Sequence, residues 1–284
     1  MSRIDQFESA FLAAAKPRFQ HRDVQVRRVL VLTDLADAAP YGARVRDFLG
    51  GLGQADSIAW ELVTGDRCDS IGDMLALVAD WEPDLVCAYR NLHSSAWRWP
   101  HSLSDHVEVL TQVTDVPVLL LPRPGQEQGW EDATGAPYTV MALTDHLAGD
   151  QSLVHHAVAF AGPKGRIVLA HVEHAGVFER YMDVISKLPR IPTDVAREDI
   201  AAQLLKEPSD WATEVERGLR AAGVDLALDS VVTMGQRLPT YRRLVDEQKV
   251  DLLVMHTKQE GQLAMMGLSY QIAVEMRHIP VLML

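Results

Sequence analysis

The chain is poor in cysteine: Cys68 and Cys87 are the only two in 284 residues, and no C-x-x-C pair occurs. Two thiols cannot build a disulfide framework or a four-thiolate zinc site, so a reducing cytoplasm is the expected compartment. It also lacks an apolar run near the 18 or so residues that a membrane helix needs. The 1–16 segment carries Asp5 and Glu8 where a signal peptide requires uninterrupted apolar residues, which predicts a soluble, unprocessed chain. Basic residues are the minority. Against 39 Asp and Glu there are 27 Lys and Arg, a net charge of -12, and such a protein is repelled by phosphate backbones and anionic bilayers. Neither nucleic acid nor membrane is expected as a partner. Neither a G-x-S-x-G elbow nor a G-x-x-x-x-G-K-S/T loop is present, which removes the defining residues of α/β-hydrolases and P-loop enzymes.

What the chain does contain is repetition. Its length predicts about two domains, and 48% apolar against 23% charged residues is ordinary globular composition. Val29-Leu30-Val31-Leu32-Thr33-Asp34 is echoed by Val140-Met141-Ala142-Leu143-Thr144-Asp145, an offset of 111 residues. Downstream, Asp84-Leu85-Val86 matches Asp251-Leu252-Leu253-Val254, and Pro117-Val118-Leu119-Leu120 matches Pro280-Val281-Leu282-Met283. Three matches in one order indicate a duplicated unit. Each is a short apolar run bounded by Asp or Pro, as in strands buried on both faces of a parallel sheet. Stretches 43–52, 71–81, 153–161, 211–222 and 241–247 space their apolar residues three and four apart, as core-facing helices do.

This alternation predicts α/β architecture: two Rossmann-like parallel-sheet domains in tandem. The boundaries are a helical arm at 1–26, a first unit at 27–124, a polar Gly- and Pro-containing linker at 125–136 and a second unit at 137–284. In the arm, Ile4, Phe7, Phe11 and Leu12 form one apolar stripe on a helix. The units are unequal, because 50 residues separate Asp34 from Asp84 whereas 106 separate Asp145 from Asp251. The second has room for a helix and strand that the first lacks, and for an excursion near 179–208 whose helical stretches Pro189, Pro192 and Pro208 are expected to interrupt. The last strands of the two units, at 118–121 and 281–284, are expected to pair into an intramolecular pseudo-dimer.

Both first strands end in Thr-Asp before a turn into a helix. An Asp there either caps the helix or faces the ligand crevice at the carboxyl ends of the strands. The element order, these aspartates, the Asp-Leu-Val phrases, Ala170-His171-Val172 and Val231-Val232-Thr233-Met234-Gly235 together resemble the universal stress protein family, over about 245 residues. The resemblance implies ATP held between a first-strand Asp, a second-strand Val and a loop of pattern Gly-x2-Gly-x9-Gly-Ser/Thr. Here the second unit offers His256 in the first glycine's place and Gly267 in the last, 11 apart instead of 13, with Leu268 where the hydroxyl belongs. The first unit's stretch, 89–104, has no glycine and contains Trp97, Trp99 and Pro100. Phosphates need close backbone approach and free N–H groups, so both cradles are damaged.

The expected function is a universal stress protein acting in stress regulation by protein contacts or self-association, not as an enzyme. The alternative is a small-molecule or adenine-nucleotide binder, with ATP or AMP as ligand and weak ATP hydrolysis. Its site would draw on Asp145, Val172, Gly235, His256, Thr257, Gly261, Gly267 and Ser269 in the second unit, and on Asp34 in the first. His93, His101, His106 and the pair His155-His156 lack metal-motif spacing, so no metal is expected. Met265, Met266 and Leu263 are expected to be helix core. An ATP pyrophosphatase or adenylyl-transfer enzyme would need an S-G-G-x-D-S or H-x-G-H string, and neither is present.

Overall fold

A computed structural model describes residues 18–52, 57–95, 102–125, 135–144, 150–188, 190, 192–257 and 267–284. The strands are β1 (Arg28–Leu32), β2 (Ala59–Val63), β3 (Leu85–Tyr89), β4 (Val118–Leu121), β5 (Thr139–Leu143), β6 (Arg166–His174), β7 (Ala227–Gly235), β8 (Leu252–Met255) and β9 (Val281–Met283). The helices are α1 (Ala39–Phe48), α2 (Ile71–Trp81), α3 (Asp105–Val113), α4 (Gln151–Ala161), α5 (Ala175–Ser186), α6 (Thr193–Ala221), α7 (Arg237–Gln248) and α8 (Gly267–Glu275).

All nine strands form one sheet in the order β2-β1-β3-β4-β9-β8-β5-β6-β7. Every neighbouring pair is parallel except one. β4 and β9 run antiparallel, with Leu119 opposite Leu282, so the last strands of the two halves join as expected. The sheet is thus two Rossmann-like halves placed back to back. The second half has the doubly wound order β7-β6-β5-β8-β9, and the first is the same order with the outermost strand missing. Residues 64–70 pass directly from β2 to α2, where the second half interposes α5, α6 and β7.

The halves share hydrogen bonds as well as strand order. Asp84 Oδ2 accepts from the Arg27 and Arg28 amides at 2.8 and 2.9 Å, and Asp251 Oδ2 accepts from those of Tyr138 and Thr139 at 3.0 and 2.8 Å. The helices before these aspartates, α2 and α7, both end on a left-handed residue, Glu82 and Lys249. Arg90 N donates to Leu121 O as Thr257 N donates to Leu284 O. The repeated Asp-Leu-Val phrase is therefore a device that ties the start of one central strand to the start of its neighbour.

Right-handed crossovers put α2, α3, α7 and α8 on one face. α2 packs on α3 and α7 on α8, and the Tyr270 hydroxyl of α8 donates to Glu108 of α3 at 2.9 Å; burial, with that bond adding to it, pushes the phenol up to about 12. α6 departs from the sequence expectation. Pro208 does not interrupt it: the helix runs unbroken through 29 residues, with the Ser209 hydroxyl donating back to Leu205 O at 2.7 Å. The helical stretch expected at 43–52 begins earlier, with Pro40 in its first turn, and closes in a 3-10 turn at Leu49–Gly51. The stripe at Ile4, Phe7, Phe11 and Leu12 lies outside the described residues, as do Leu263, Met265 and Met266. Just after the arm, Phe19 is buried beside Trp211, and a Cβ at Gly218 would come within 2.7 Å of the Phe19 carbonyl, so α6 needs a glycine there.

One buried cation locks the seam. Arg90, which follows β3, is 3% exposed and donates to Ala273 O, Met276 O and Ile279 O at 2.8, 3.0 and 3.4 Å, gripping the end of α8 from the other half. Arg90→Leu should destabilise the protein by about 3 kcal/mol, because three buried carbonyls lose a charged donor. Urea unfolding measures it, and a loss below about 1 kcal/mol would mean that the grip contributes little.

Candidate functional site

The crevice of the second half lies at the carboxyl ends of β5, β6 and β8. β5 stops at Leu143, opposite Ala170, whereas β6 continues to His174. Val172 is paired with Thr233 of β7 but has no strand beside it on the β5 side. That edge is not open. Val172 N donates to the Tyr241 hydroxyl at 3.2 Å, and Arg237 Nε donates to Val172 O at 3.1 Å. Both side chains come from α7, which starts directly after Gly235 at the end of β7. A Cβ at Gly235 would sit 2.8 Å from Thr240 Oγ1, so the glycine lets the first turn of α7 close on the strand.

On the other side of the crevice, His256 follows β8. Its Nε2 lies 2.7 Å from Asp150 Oδ2, with the two side chains 33% and 23% exposed. Asp150 also caps α4 through Leu153 N at 3.1 Å, so one carboxylate fixes a helix start and orients an imidazole. His156 on α4 bonds Ser152 O at 2.9 Å. Burial holds His156 below the ordinary histidine range, assisted by the nearby His155 and His256. Ser269 Oγ donates to His256 O at 2.6 Å and Thr257 Oγ1 to Leu284 O at 2.9 Å. Both hydroxyls thus donate to backbone carbonyls. Gly267 opens α8, and a Cβ there would meet nothing within 4 Å, so no steric need for glycine exists at that position. Asp145 and Gly261 lie outside the described residues.

The first half fills its own crevice. The Tyr89 hydroxyl donates to Asp34 Oδ1 and itself accepts from Asp34 N at 2.8 Å, while Asp34 Oδ2 accepts from His93 N at 2.9 Å. Arg123 lies 3.8 Å from the carboxylate and stacks over the Tyr89 ring. Burial pushes the Tyr89 phenol up, and the bond to Asp34 adds to the rise. His93 also faces Cys68 Sγ at 3.4 Å and packs against His106 with ring centres 4.8 Å apart. Burial lowers the His93 pKa, and His106 lowers it further.

The structure thus places Val172, Gly235, His256 and Thr257 at the carboxyl ends of β6, β7 and β8, joins Ser269 to His256, and sets Asp34 apart in the other half. Sequence reasoning missed Tyr241, Arg237, Asp150 and Tyr89. Only Tyr89 left a signal: it stands five residues after Asp84, as His256 stands five after Asp251. Among the described residues, no group of three or more His, Cys, Asp or Glu side chains could hold a metal, and no helix is long and apolar enough to cross a membrane.

No protein-family model matches the chain, and no curated protein matches it. Solved structures similar to it include a universal stress protein from Archaeoglobus fulgidus, 12% identical over 92% of this chain and 98% of that one, with a TM-score of 0.49. A putative universal stress protein from Pseudomonas aeruginosa UCBPP-PA14 is 11% identical over 90% and 81%, with a TM-score of 0.46. The hypothetical protein MJ0577 is 16% identical over 52% and 94%, with a TM-score of 0.39.

The lowered pKa of His156 has a stability consequence. Its folded value lies below the unfolded 6.5, so the unfolded chain takes up protons first on acidification. The associated stability is complete above about pH 6.5 and is lost as pH falls through the lowered folded value. Urea midpoints at pH 7.5 and 5.5 should therefore drop in the wild type and drop less in His156→Gln. Equal drops in the two proteins would exclude His156 as a contributor.

Proposed function

We propose that the chain is a tandem universal-stress-like protein, with a shortened unit at 27–124 and a full one at 137–284, that acts in regulation through protein contacts and has no working nucleotide site in either half. The observation that carries this reading is the occupied edge of Val172, whose N–H and C=O are already bonded to Tyr241 and Arg237. A nucleobase seated at that strand end would find the hydrogen-bonding groups of that edge already satisfied. The first half supports it in the same way, since Tyr89, His93 N and Arg123 surround Asp34. The shared hydrogen bonds of Asp84 and Asp251 support an origin by duplication. Cys68 and Cys87 are buried and not joined in a disulfide, which fits a reducing cytoplasm.

One observation favours the alternative of a small molecule or adenine nucleotide in the second half. The His256–Asp150 pair is partly exposed at the mouth of the crevice, and an imidazole oriented by a carboxylate can hydrogen-bond a ligand. Thermal unfolding with ATP, ADP and AMP separates the two readings. A nucleotide at 100 times its Kd stabilises a protein by about 2.7 kcal/mol, a shift of several degrees. No shift is expected with any of the three. A shift that disappears in His256→Ala would establish the alternative in place of the proposal.

A further inference from the structure

The helical pair that only the second half possesses carries an unpartnered apolar face. Among the described residues six large apolar side chains are exposed, and four of them, Tyr181, Val184, Leu188 and Val195, fall between α5 and the start of α6. α5 has two apolar stripes. Phe178 and Met182 are buried and Ile185 is half-buried, forming the stripe that packs inward. Tyr181, Val184 and Leu188 repeat three and four residues apart, about 90° further round the helix, and are 62, 55 and 47% exposed. Leu188 keeps that spacing because its N–H donates to Ile185 O at 2.9 Å, carrying the turn past the end of α5. Val195, 59% exposed, follows at the start of α6.

The chain outside the described residues begins on the same helix. Phe19 N donates to Glu214 Oε1 at 3.2 Å and the Phe19 ring meets Trp211, so residues 1–17 leave from the middle of α6. Val195 stands 19 residues before Glu214, a rise of about 28 Å along α6. Residues 13–18 reach about 20 Å when extended, and Ile4 to Phe11 add about 10 Å as a helix. That length brings Ile4, Phe7 and Phe11 level with Val195. Their spacing, three and then four, is also that of Tyr181, Val184 and Leu188.

We propose that residues 4–12 dock as a helix on the Tyr181, Val184 and Leu188 face of α5 in the same chain. A second copy is the poorer occupant. Four side chains fall well short of the about 800 Å² per partner that a stable complex between copies buries. A tethered segment acts at an effective concentration near millimolar and so needs less area. The contact involves neither crevice, so it stands or falls apart from the proposed function.

Disulfide trapping in the full chain tests it, because the native Cys68 and Cys87 are buried. Phe7→Cys is combined in turn with Tyr181→Cys, Val184→Cys and Leu188→Cys, and with Val113→Cys, an exposed position on α3 of the first half, as the control. Under mild oxidation at least one of the three pairs should close within the chain, seen as a faster-running monomer without reductant, roughly tenfold faster than the control. Tryptic cleavage after Arg3, followed by mass spectrometry, gives a second readout. Val184→Asp, at an exposed position that leaves the core untouched, should speed that cleavage by roughly fivefold, Phe7→Asp should do the same, and the double variant should be no faster than either. Disulfide-linked dimers in place of the monomeric product, no link with any of the three, unchanged cleavage in Val184→Asp, or multiplied rates in the double variant would overturn the proposal.

Discussion

The antiparallel pairing of β4 with β9 is the contact on which the rest of the architecture depends. Each half alone would end in an apolar strand with unpaired N–H and C=O groups, a template for association. Joined, the two strands become the middle of one nine-stranded sheet, and every residue of both is buried. Because the pair is antiparallel, the two carboxyl-end crevices open at opposite ends of the sheet, so neither crevice can help to build the other. What crosses the seam is mechanical. Arg90 grips the end of α8 and Tyr270 reaches Glu108, so the helix whose first turn borders the second crevice is held from the first half.

The smaller size of the first half follows the same logic. The αβ layer present only in the second half is the outermost, the part farthest from the seam, so the central pairing does not need it. The crevice of a half with four strands has less wall, and side chains fill the space. Tyr89 stands where the second half has His256, and its ring reaches the Asp34 carboxylate across the strand ends. A neutral phenol beside a carboxylate is satisfied without any ligand, which makes that crevice a closed hydrogen-bonded cluster.

How far the sequence could be read follows from the range of each interaction. Asp84 and Asp251 were legible because the phrase is local: an acid just before a buried strand, twice, in one order. The lost αβ layer was legible as a spacing, 50 residues against 106. Pro208 misled because a proline in a helical stretch is a local warning, whereas α6 is held by burial of Trp211, Ala212, Val215 and Leu219 beyond it, and the bond lost at the proline is one among many. The closing of Val172 was not legible, since Tyr241 lies 69 residues away and the periodicity at 241–247 marks it only as a core-facing helix residue. Gly267 is legible only as a position in a glycine pattern, since among the described residues nothing crowds it.

Gly235 marks the point where the chain turns from β7 into the helix that closes the Val172 edge. Without a Cβ there, the Thr240 hydroxyl comes close to the strand end as α7 begins. The first turns of that helix deliver Tyr241 and Arg237 to the backbone of Val172, past the point where β5 stops. Arg237 also lines a cleft between α7, α5 and the start of α8. One side chain therefore both closes the edge beside β5 and walls the space beside β7.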